Sequence, residues 1–353
     1  MATPQAQDSE GSENLPKRPL YESSTQYRNW RFSFDRLART RASMNRAAVA
    51  AIRTKIDAGE PGSSSDIAFL DADEEVLLVK FYIAKMRQLS HFLQFPEEVE
   101  ATGISYLKRF YLKNTVMDWH PKNVMLTALY LSAKTCNSWI GIEHYVAKIP
   151  QLQPSDVLDL EFLVAQSLSF EFAVWHPHRA LWGIWLDVQS LPDTPVQLDI
   201  SIYNDALKYV QASRLTDAEL VYTPSQIAIA AFSLASPGIA SRWLESKNAS
   251  NDSMNLNVVE EIKTMIHFQG RPVDIEAVRE IDRRLKLCKN PEKVPGSKAY
   301  IAKKAAEERK AEEKRYKKAA TVQTAAEDGD PFGNELNNTH GGPLVDYDDD
   351  DDD

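Results

Sequence analysis

Few side chains in this sequence have the types and spacing that catalysis or metal binding requires. The seven histidines are scattered, and the close pair His176 and His178 has no cysteine or carboxylate cluster beside it. A metal pair is therefore one interpretation of these two residues, and a helix cap next to Pro177 is the favoured one. The phosphate loop, the dinucleotide fingerprint, the nucleophile elbow and the zinc-protease helix motif are all missing from the sequence. We predict no catalytic site, no cofactor and no metal.

One carboxylate lies where a charge is costly. Glu161 has apolar residues at every position three, four and seven residues away along a predicted helix, namely Val157, Leu158, Val164, Ala165 and Leu168. Such a carboxylate needs a partner. Lys134, at the end of another apolar helix, is the natural one. The pair is either an internal salt bridge or a polar anchor within an apolar docking surface flanked by Leu131 and Ala165.

The elements that would position these residues belong to a repeated helical pattern. The segments His120–Leu131 and Thr223–Leu234 align without a gap at a constant offset of 103 residues. Each has proline at its start, where a helix has no N–H bond to lose. Each is then apolar on almost every side, as in a helix buried all round. The repeat indicates two similar helical domains in tandem, and the position that corresponds to Lys134 in the second is Pro237.

The predicted fold is all-α, with short connections that often begin at proline. In the first domain we expect helices that run from the acidic cluster at 71–75 to Phe95, over Glu97–Asn114, from Pro121 to Lys134, over Ile142–Lys148 and from Pro154 to Phe172. In the second we expect helices at 178–189, 196–213, 224–235, 239–247 and 256–268. We expect residues 1–24 to be disordered, 25–57 to form an N-terminal helix, and 70–173 and 174–270 to form the two domains. Residues 271–290 are expected to form a C-terminal helix, and 291–353 a charged, mostly disordered tail. Within that tail, 298–318 is expected to be a solvated or induced helix.

Charge and cysteine content narrow the class of protein. Of the net charge of −10, seven charges come from the acidic tail at Asp346 and 348–353, so residues 1–345 carry only −3. A near-neutral body argues against direct nucleic-acid binding. Two cysteines, Cys136 and Cys288, cannot make a disulfide framework or a four-ligand zinc site, and Cys136 is expected to be a small core thiol. With no secretory leader and no apolar run of bilayer length, we expect a soluble protein of a reducing, intracellular compartment.

Two charged segments have alternative interpretations. Residues 27–56 carry a net charge of +7 with interleaved apolar residues, which predicts a helix packed by one face. Its arginines either form a solvated face, which we favour, or contact an acidic or phosphorylated partner. The cluster Asp71, Asp73, Glu74 and Glu75 suits the first turn of a helix better than a metal site.

These residues together resemble the cyclins, regulatory subunits of cyclin-dependent kinases. The helix that ends in Ala133-Lys134, and the Glu161 helix that ends in Leu168-Ser169-Phe170, are similar to the motif of the first of two five-helix cyclin boxes. Within the family, the stretches Leu107–Met117, Trp119–Pro121 and Leu215–Ala228 are most similar to the cyclin H group. The Met-Arg-x-x-Leu type of motif with which cell-cycle cyclins recruit substrates is missing from the first helix, as in transcriptional cyclins.

The resemblance implies a non-catalytic subunit that binds and activates a cyclin-dependent kinase in the nucleus. Lys134 and Glu161 would contact the kinase at its C-helix and activation segment, with Leu131 and Ala165 beside them. The further partners implied are a RING-containing assembly subunit and the core of general transcription factor IIH. The substrates would be kinase activation loops and the C-terminal repeats of RNA polymerase II; no nucleic acid or membrane is expected to bind directly.

Three alternatives remain open from the sequence. A protein like general transcription factor IIB would share the tandem fold and bind DNA and the TATA-binding protein, but that family has an N-terminal zinc ribbon and a basic core. Another transcriptional cyclin would pair with a different kinase. An unrecognised enzyme would require a deep polar pocket lined by titratable residues.

Overall fold

Helices form all the regular structure in the ranges that the structure, a computed structural model, describes: residues 19–59, 61–191, 198–248 and 256–327. The predicted all-α class is therefore confirmed. The N-terminal segment forms α1 (Thr25–Asn29) and α2 (Phe34–Gly59). The first box contains α3 (Ala72–Phe92), α4 (Glu97–Phe110), α5 (Pro121–Thr135), α6 (Ile142–Ala147), α7 (Pro154–Leu158) and α8 (Glu161–Ser167). The second contains α9 (Pro177–Val188), α10 (Ile200–Ser213), α11 (Ala218–Val221), α12 (Pro224–Ala235), α13 (Pro237–Asn248) and α14 (Leu256–Gln269). The helices α15 (Ile275–Leu285) and α16 (Lys298–Glu327) follow.

The repeated helices are the centres of the two boxes, as predicted. Every residue of α5 from Val124 to Ala133 is buried, and so is every residue of α12 from Ile227 to Ser233. Gly103 lets α4 approach α5 closely, because a Cβ there would lie only 3.0 Å from the Ser132 Oγ of α5 and 3.1 Å from the Met86 Sδ of α3. Each central helix thus organises its own hydrophobic core.

Local hydrogen bonds fix where the helices of the boxes begin. The Asp71 carboxylate accepts from the Glu74 N–H at 2.9 Å, and the Glu74 carboxylate accepts from the Asp71 N–H at 3.0 Å. This reciprocal capping box confirms that the acidic cluster begins a helix. Thr223 and Gln226 make the predicted capping box at the start of α12. The described residues contain no group of three potential metal ligands.

Buried ion pairs join the two boxes. Arg214, at the end of α10, is 6% exposed and donates to Glu97 at 2.6 Å and to Glu100 at 2.8 Å, both on α4. Lys108 on α4 donates to the Thr216 carbonyl at 2.7 Å and pairs with Glu219 at 2.8 Å. Because charges this deep are costly without partners, these contacts fix the relation between α4 and the α10–α11 connection.

The N-terminal segment is not the single helix that was predicted. The chain leaves the helical path between α1 and α2, where the Phe32 N–H donates to the Leu220 carbonyl of the second box at 2.8 Å. The buried side chains Trp30 and Leu37 pack with Leu112 and Leu220. Residues 20–23, which the sequence placed in a disordered tail, form a 3₁₀ turn. Residues 1–18 of that predicted tail lie outside the described residues.

The C-terminal helix predicted at 271–290 is shorter, and it packs on the first box. Val278, Ile281 and Leu285 of α15 belong to the first-box core. Beyond residue 290 the chain forms a separate unit. Its helix α16 reaches Glu327, well past the predicted end at 318, because alanine and charged residues at i,i+4 spacing suit a helix throughout. Residues 192–197 and 328–353 lie outside the described residues. The helix predicted from 196 begins at Ile200, where the Asp199 carboxylate accepts from the Ser201 N–H at 2.9 Å as its N-cap.

None of the described helices has the combined length and apolar character that a membrane crossing requires.

Candidate functional site

Lys134 and Glu161 form the ion pair that the sequence predicted. Lys134 lies in the last turn of α5 and donates to the carboxylate of Glu161, the first residue of α8. Its ammonium group also lies 5.5 Å from the centre of the Tyr130 ring. The lysine side chain is 38% exposed and the glutamate side chain 20%. The pair is therefore accessible to a partner, and each charge has the sign that its helix end favours.

The helix that carries Glu161 differs from the one predicted. The single helix expected from Pro154 to Phe172 is two short helices, with a turn at Asp159 and Leu160 between α7 and α8. The Asp159 N–H still bonds to the Ser155 carbonyl, but Leu160 caps α8 and accepts from the Val164 N–H. Glu161 therefore lies at a helix start rather than in the middle of an apolar stripe.

The two residues predicted to flank the pair are part of the core. Leu131 is 5% exposed and Ala165 is 7% exposed. The exposed apolar side chains that follow Glu161 along the chain are instead Phe162 and Phe170, which are 69% and 54% exposed, with ring centres 6.0 Å apart. We call Lys134, Glu161, Phe162 and Phe170 the ion-pair surface.

The sequence analysis did not identify the phenylalanines of the ion-pair surface, although the position of Phe162 in the helical pattern gave a signal. Phe162 lies off the stripe of Val164, Ala165 and Leu168 that α8 buries, so a helical projection would have placed it outside. Two exposed aromatic rings in contact are unusual on a surface that faces only solvent and binds no partner. Phe170 could not have been found in this way, because it lies beyond the helix end.

The turn after α8 holds an unusual backbone. Ser169 and Phe170 are consecutive non-glycine residues with φ of 54° and 56°. The conformation is held by the Ser169 N–H, which donates to the Gln166 carbonyl, and by the Phe170 N–H, which donates to the Ala165 carbonyl at 3.0 Å. Lys113 adds a bond to the Ser169 hydroxyl at 2.8 Å. Left-handed residues cost about 1 kcal/mol or more each, and such strain concentrates at functional surfaces.

Thr135 and Cys136, which follow Lys134, turn toward α4. The Thr135 hydroxyl lies 3.0 Å from the Tyr106 hydroxyl, and the Cys136 thiol donates to the Thr102 hydroxyl at 3.3 Å. Cys136 is half-buried rather than a core residue, and burial raises the pKa of its thiol. These side chains support the end of α5 from within.

The histidine pair that could have bound a metal has another arrangement. His176 occupies the N-cap position of α9, as favoured, but its ring bonds to the Thr102 hydroxyl at 2.9 Å instead of capping the helix. The rings of His176 and His178 stack with centres 5.1 Å apart. Burial lowers the pKa of His176 well below its usual range and that of His178 to about 4, so both are neutral at pH 7.

One cavity has the titratable lining that an enzyme would require. It has a volume of about 260 Å³ and lies between α2, α3, α4 and the α10–α11 connection. Apart from Asp73, its charged residues are bonded to neighbouring side chains or to the backbone: Arg41 binds Asp217 through two bonds of 2.7 Å, and Lys80 donates to the Gln269 carbonyl. Glu75 accepts from Asn45, Thr115 and the Val116 N–H. Such mutual pairing is typical of a structural joint rather than of a poised acid or base.

Comparison with known proteins assigns both boxes. Residues 78–173 match the family model of the cyclin N-terminal domain, and residues 176–268 match that of the cyclin C-terminal domain. The cyclin mcs2 of Schizosaccharomyces pombe is 30% identical over 320 residues, which cover 88% of this chain and 98% of mcs2. A probable cyclin-H of Echinococcus multilocularis is 30% identical over 80% of this chain and 96% of its own length.

Two solved structures are similar over most of the fold. A chain of the CAK complex from Chaetomium thermophilum bound to ATP-γ-S matches with a TM-score of 0.70 and 30% identity, covering 77% of this chain and 90% of that one. A chain of the yeast TFIIK complex, Kin28/Ccl1/Tfb3, matches with a TM-score of 0.58 and 31% identity, covering 70% of this chain and 100% of that one. The tandem fold and the relatives agree: the chain belongs to the cyclin family and is similar to its cyclin H members.

Proposed function

We propose that this chain is the non-catalytic regulatory subunit of a cyclin-dependent kinase, acting in a CDK-activating kinase complex. The proposal is supported by the cyclin-H-like relatives and by the two similar chains, which come from a CAK complex and from TFIIK. The mutual pairing of the charged residues around the cavity supports a subunit without chemistry of its own.

The ion-pair surface is the single observation that carries the proposal. It combines an accessible Lys–Glu pair with two exposed aromatic rings, one on α8 and one on a strained turn, all on the first box. Apolar rings supply the buried area of a protein interface, and charges at its centre fix the register of the partner. We assign Lys134 and Glu161 as contacts with the C-helix and activation segment of the kinase, with Phe162 and Phe170 as apolar anchors. Leu131 and Ala165, predicted as direct contacts, have the role of supporting this surface from the core.

Activation then follows from differential binding. A cyclin that binds the inward position of the kinase C-helix better than the outward position shifts the kinase toward the active arrangement. In that arrangement the kinase Lys–Glu ion pair and its metal-binding Asp are in place for phosphoryl transfer. The cyclin supplies no reacting group. It contributes only the free-energy difference between the two kinase states.

We propose two further partners, a RING-containing assembly subunit and the core of transcription factor IIH. The complex would act in the nucleus on kinase activation loops and on the C-terminal repeats of RNA polymerase II. The yeast TFIIK complex, which holds three named proteins, supports a third subunit. The charge of only −3 on residues 1–345 supports the absence of direct nucleic-acid binding, and we expect no membrane partner.

The test is co-purification from native extract through a tag on this chain, with mass spectrometry and a kinase assay on polymerase C-terminal repeats. We expect recovery of a cyclin-dependent kinase and a RING-containing subunit, activity in the complex, and none in the isolated chain. Recovery of polymerase and the TATA-binding protein without a kinase would overturn the proposal in favour of a factor-IIB-like role.

A further inference from the structure

The strained turn that presents Phe170 continues into a residue held by the N-terminal segment. The Glu171 carboxylate accepts from the Trp30 indole N–H and from the Asn29 side-chain amide, each at 2.5 Å. These donors belong to α1 and its C-cap, outside both boxes and more than 140 residues away in sequence. One carboxylate that receives two donors from one short segment is a specific tether.

The tether is supported from the side of the first box. Arg109, which is 2% exposed, lies with its guanidinium carbon 5.1 Å from the centre of the Trp30 ring and donates to the Glu171 carbonyl at 3.3 Å. The Tyr106 hydroxyl donates to the Phe172 carbonyl at 2.8 Å. The indole is therefore fixed by a buried cation, and both residues that follow Phe170 are bonded to α4.

The same N-terminal segment also binds the backbone of Trp175, a few residues after Glu171. The Gln26 side chain is buried; it accepts from the Trp175 N–H at 2.6 Å and donates to the Trp175 carbonyl at 3.3 Å. We call Gln26, Asn29 and Trp30 the N-terminal clamp. It binds both ends of the segment 171–175 that links the ion-pair surface to the second box.

We infer that Asn29, Trp30 and Glu171 are positioning residues for kinase binding, which keep the left-handed turn at Ser169 and Phe170 in the conformation that presents the Phe170 ring. Without the tether, a turn of two left-handed non-glycine residues relaxes toward commoner conformations. The Phe170 ring then leaves its contact with Phe162. This inference rests on the proposed function, since it assumes that the ion-pair surface binds the kinase.

Two variants weaken the tether, one at the buried Trp30 indole and one at the Glu171 carboxylate. Trp30→Phe removes the indole N–H and keeps an aromatic ring for Arg109, and Glu171→Gln weakens the acceptor. Arg28→Ala is the matched control, because Arg28 is an exposed residue of the same helix α1. We would measure the dissociation constant of each full-length variant for the recombinant cyclin-dependent kinase recovered in the co-purification, and check folding by thermal unfolding.

We expect Trp30→Phe and Glu171→Gln each to weaken kinase binding about tenfold, and Arg28→Ala to leave it unchanged. The decisive readout is the background of Phe170→Ala, in which Trp30→Phe should have no further effect, because the tether acts through that ring. A merely structural role would add the two losses. Additive losses, or unchanged binding in both single variants, would overturn the inference.

The two proposals fail in distinguishable ways. If the wild-type chain bound no cyclin-dependent kinase, or if Glu161→Lys bound it normally, the proposed function and this inference would both fall. If Glu161→Lys and Phe170→Ala weakened binding while the tether variants did not, only the positioning role would be wrong.

Discussion

Each box of this cyclin carries a lysine–carboxylate pair beside an aromatic ring, yet the surroundings of the two pairs differ. In the second box Lys247 pairs with Asp187 at 2.6 Å and lies 5.8 Å from the Trp243 ring centre. The exposures of the two lysine side chains, 38% for Lys134 and 40% for Lys247, are nearly equal. By these measures alone the pairs are equivalent.

The difference lies in the carboxylates and their surroundings. Asp187 accepts a second bond from the Trp243 indole at 2.7 Å, and bonds from Lys247 and Trp243 lower its pKa. Both of these bonds reach the Asp187 Oδ2, so its Oδ1 keeps acceptor capacity, as does the Glu161 carboxylate that binds Lys134. An ion pair with a spare acceptor is thus a poor indication of docking by itself. The contact between the exposed Phe162 and Phe170 rings and the strained turn together distinguish the first box.

The largest expected effect is that of reversing charge in the first-box pair. Glu161→Lys places two lysines together and should weaken kinase binding at least about 100-fold, since losing one partner of an ion pair buried in the complex costs about 3–5 kcal/mol. The double swap Lys134→Glu with Glu161→Lys restores a pair within the chain. It should recover stability but not affinity, because the charges of the kinase are unchanged. Recovery of affinity in the swap, measured by titration calorimetry, would show that the pair is only internal.

Leu131→Ala tests whether Leu131 supports the core or contacts the kinase directly. Because Leu131 is 5% exposed within the first-box core, its truncation should lower the free energy of unfolding by about 2–4 kcal/mol. Kinase affinity of the folded variant should stay within about threefold. Chemical denaturation is the measurement, with Leu158→Ala, at a residue 41% exposed, as the control expected to cost less than about 1 kcal/mol. A stable Leu131 variant with weak binding would restore the original assignment of this residue as a contact.

Phe162→Ala and Phe170→Ala should weaken kinase binding and leave the stability of the fold almost unchanged. Both rings are more than half exposed, so the free energy of unfolding should change by less than about 1 kcal/mol. Kinase binding should weaken about tenfold for each, as for aromatic anchors at an interface. Exposed Trp182 on α9 of the second box is the matched site, and Trp182→Ala should leave kinase affinity unchanged. Equal losses at the two sites would remove the distinction between the boxes.

The joint between the boxes should be sensitive to acid. Burial and the nearby Arg214 and Arg179 lower the pKa of His178 to about 4, against the opposing effect of Glu97 and Glu98. The unfolded chain, with a histidine pKa of about 6.5, binds the proton first as pH falls. Stability from this group is therefore full above about pH 6.5 and is lost toward pH 4, by about 1–2 kcal/mol between pH 7 and 5. His178→Gln should reduce that loss in urea titrations at the two pH values, whereas His91→Gln, at an exposed histidine, should not.

The sequence was sufficient for features that depend on local pattern. Pro121 and Pro224 begin α5 and α12, and unbroken apolar character predicted that both helices are buried. The Lys134–Glu161 pair followed from two charges on apolar helices. These inferences succeed because periodicity and capping act over a few residues.

The features that the sequence did not predict depend on contacts between distant segments. The break between α1 and α2 depends on the Leu220 carbonyl, and the exposed Phe170 depends on a left-handed turn tethered to Trp30. The sequence around Glu161 also favoured one continuous helix, because the apolar residues of α7 and α8 fall on one stripe at helical spacing. Local propensity cannot show which backbone carbonyl is satisfied from across the molecule.

The most direct test of the central claim measures one quantity for two matched variants. Glu161→Lys and Asp187→Lys reverse the carboxylate of the two pairs, and the kinase dissociation constant of each full-length chain is compared with that of the wild type. We predict a loss of at least about 100-fold for Glu161→Lys and no change of affinity for Asp187→Lys, which should cost about 1–3 kcal/mol of stability because the buried Trp243 indole loses its acceptor. Equal affinities for the two variants would contradict the assignment of kinase binding to the first box.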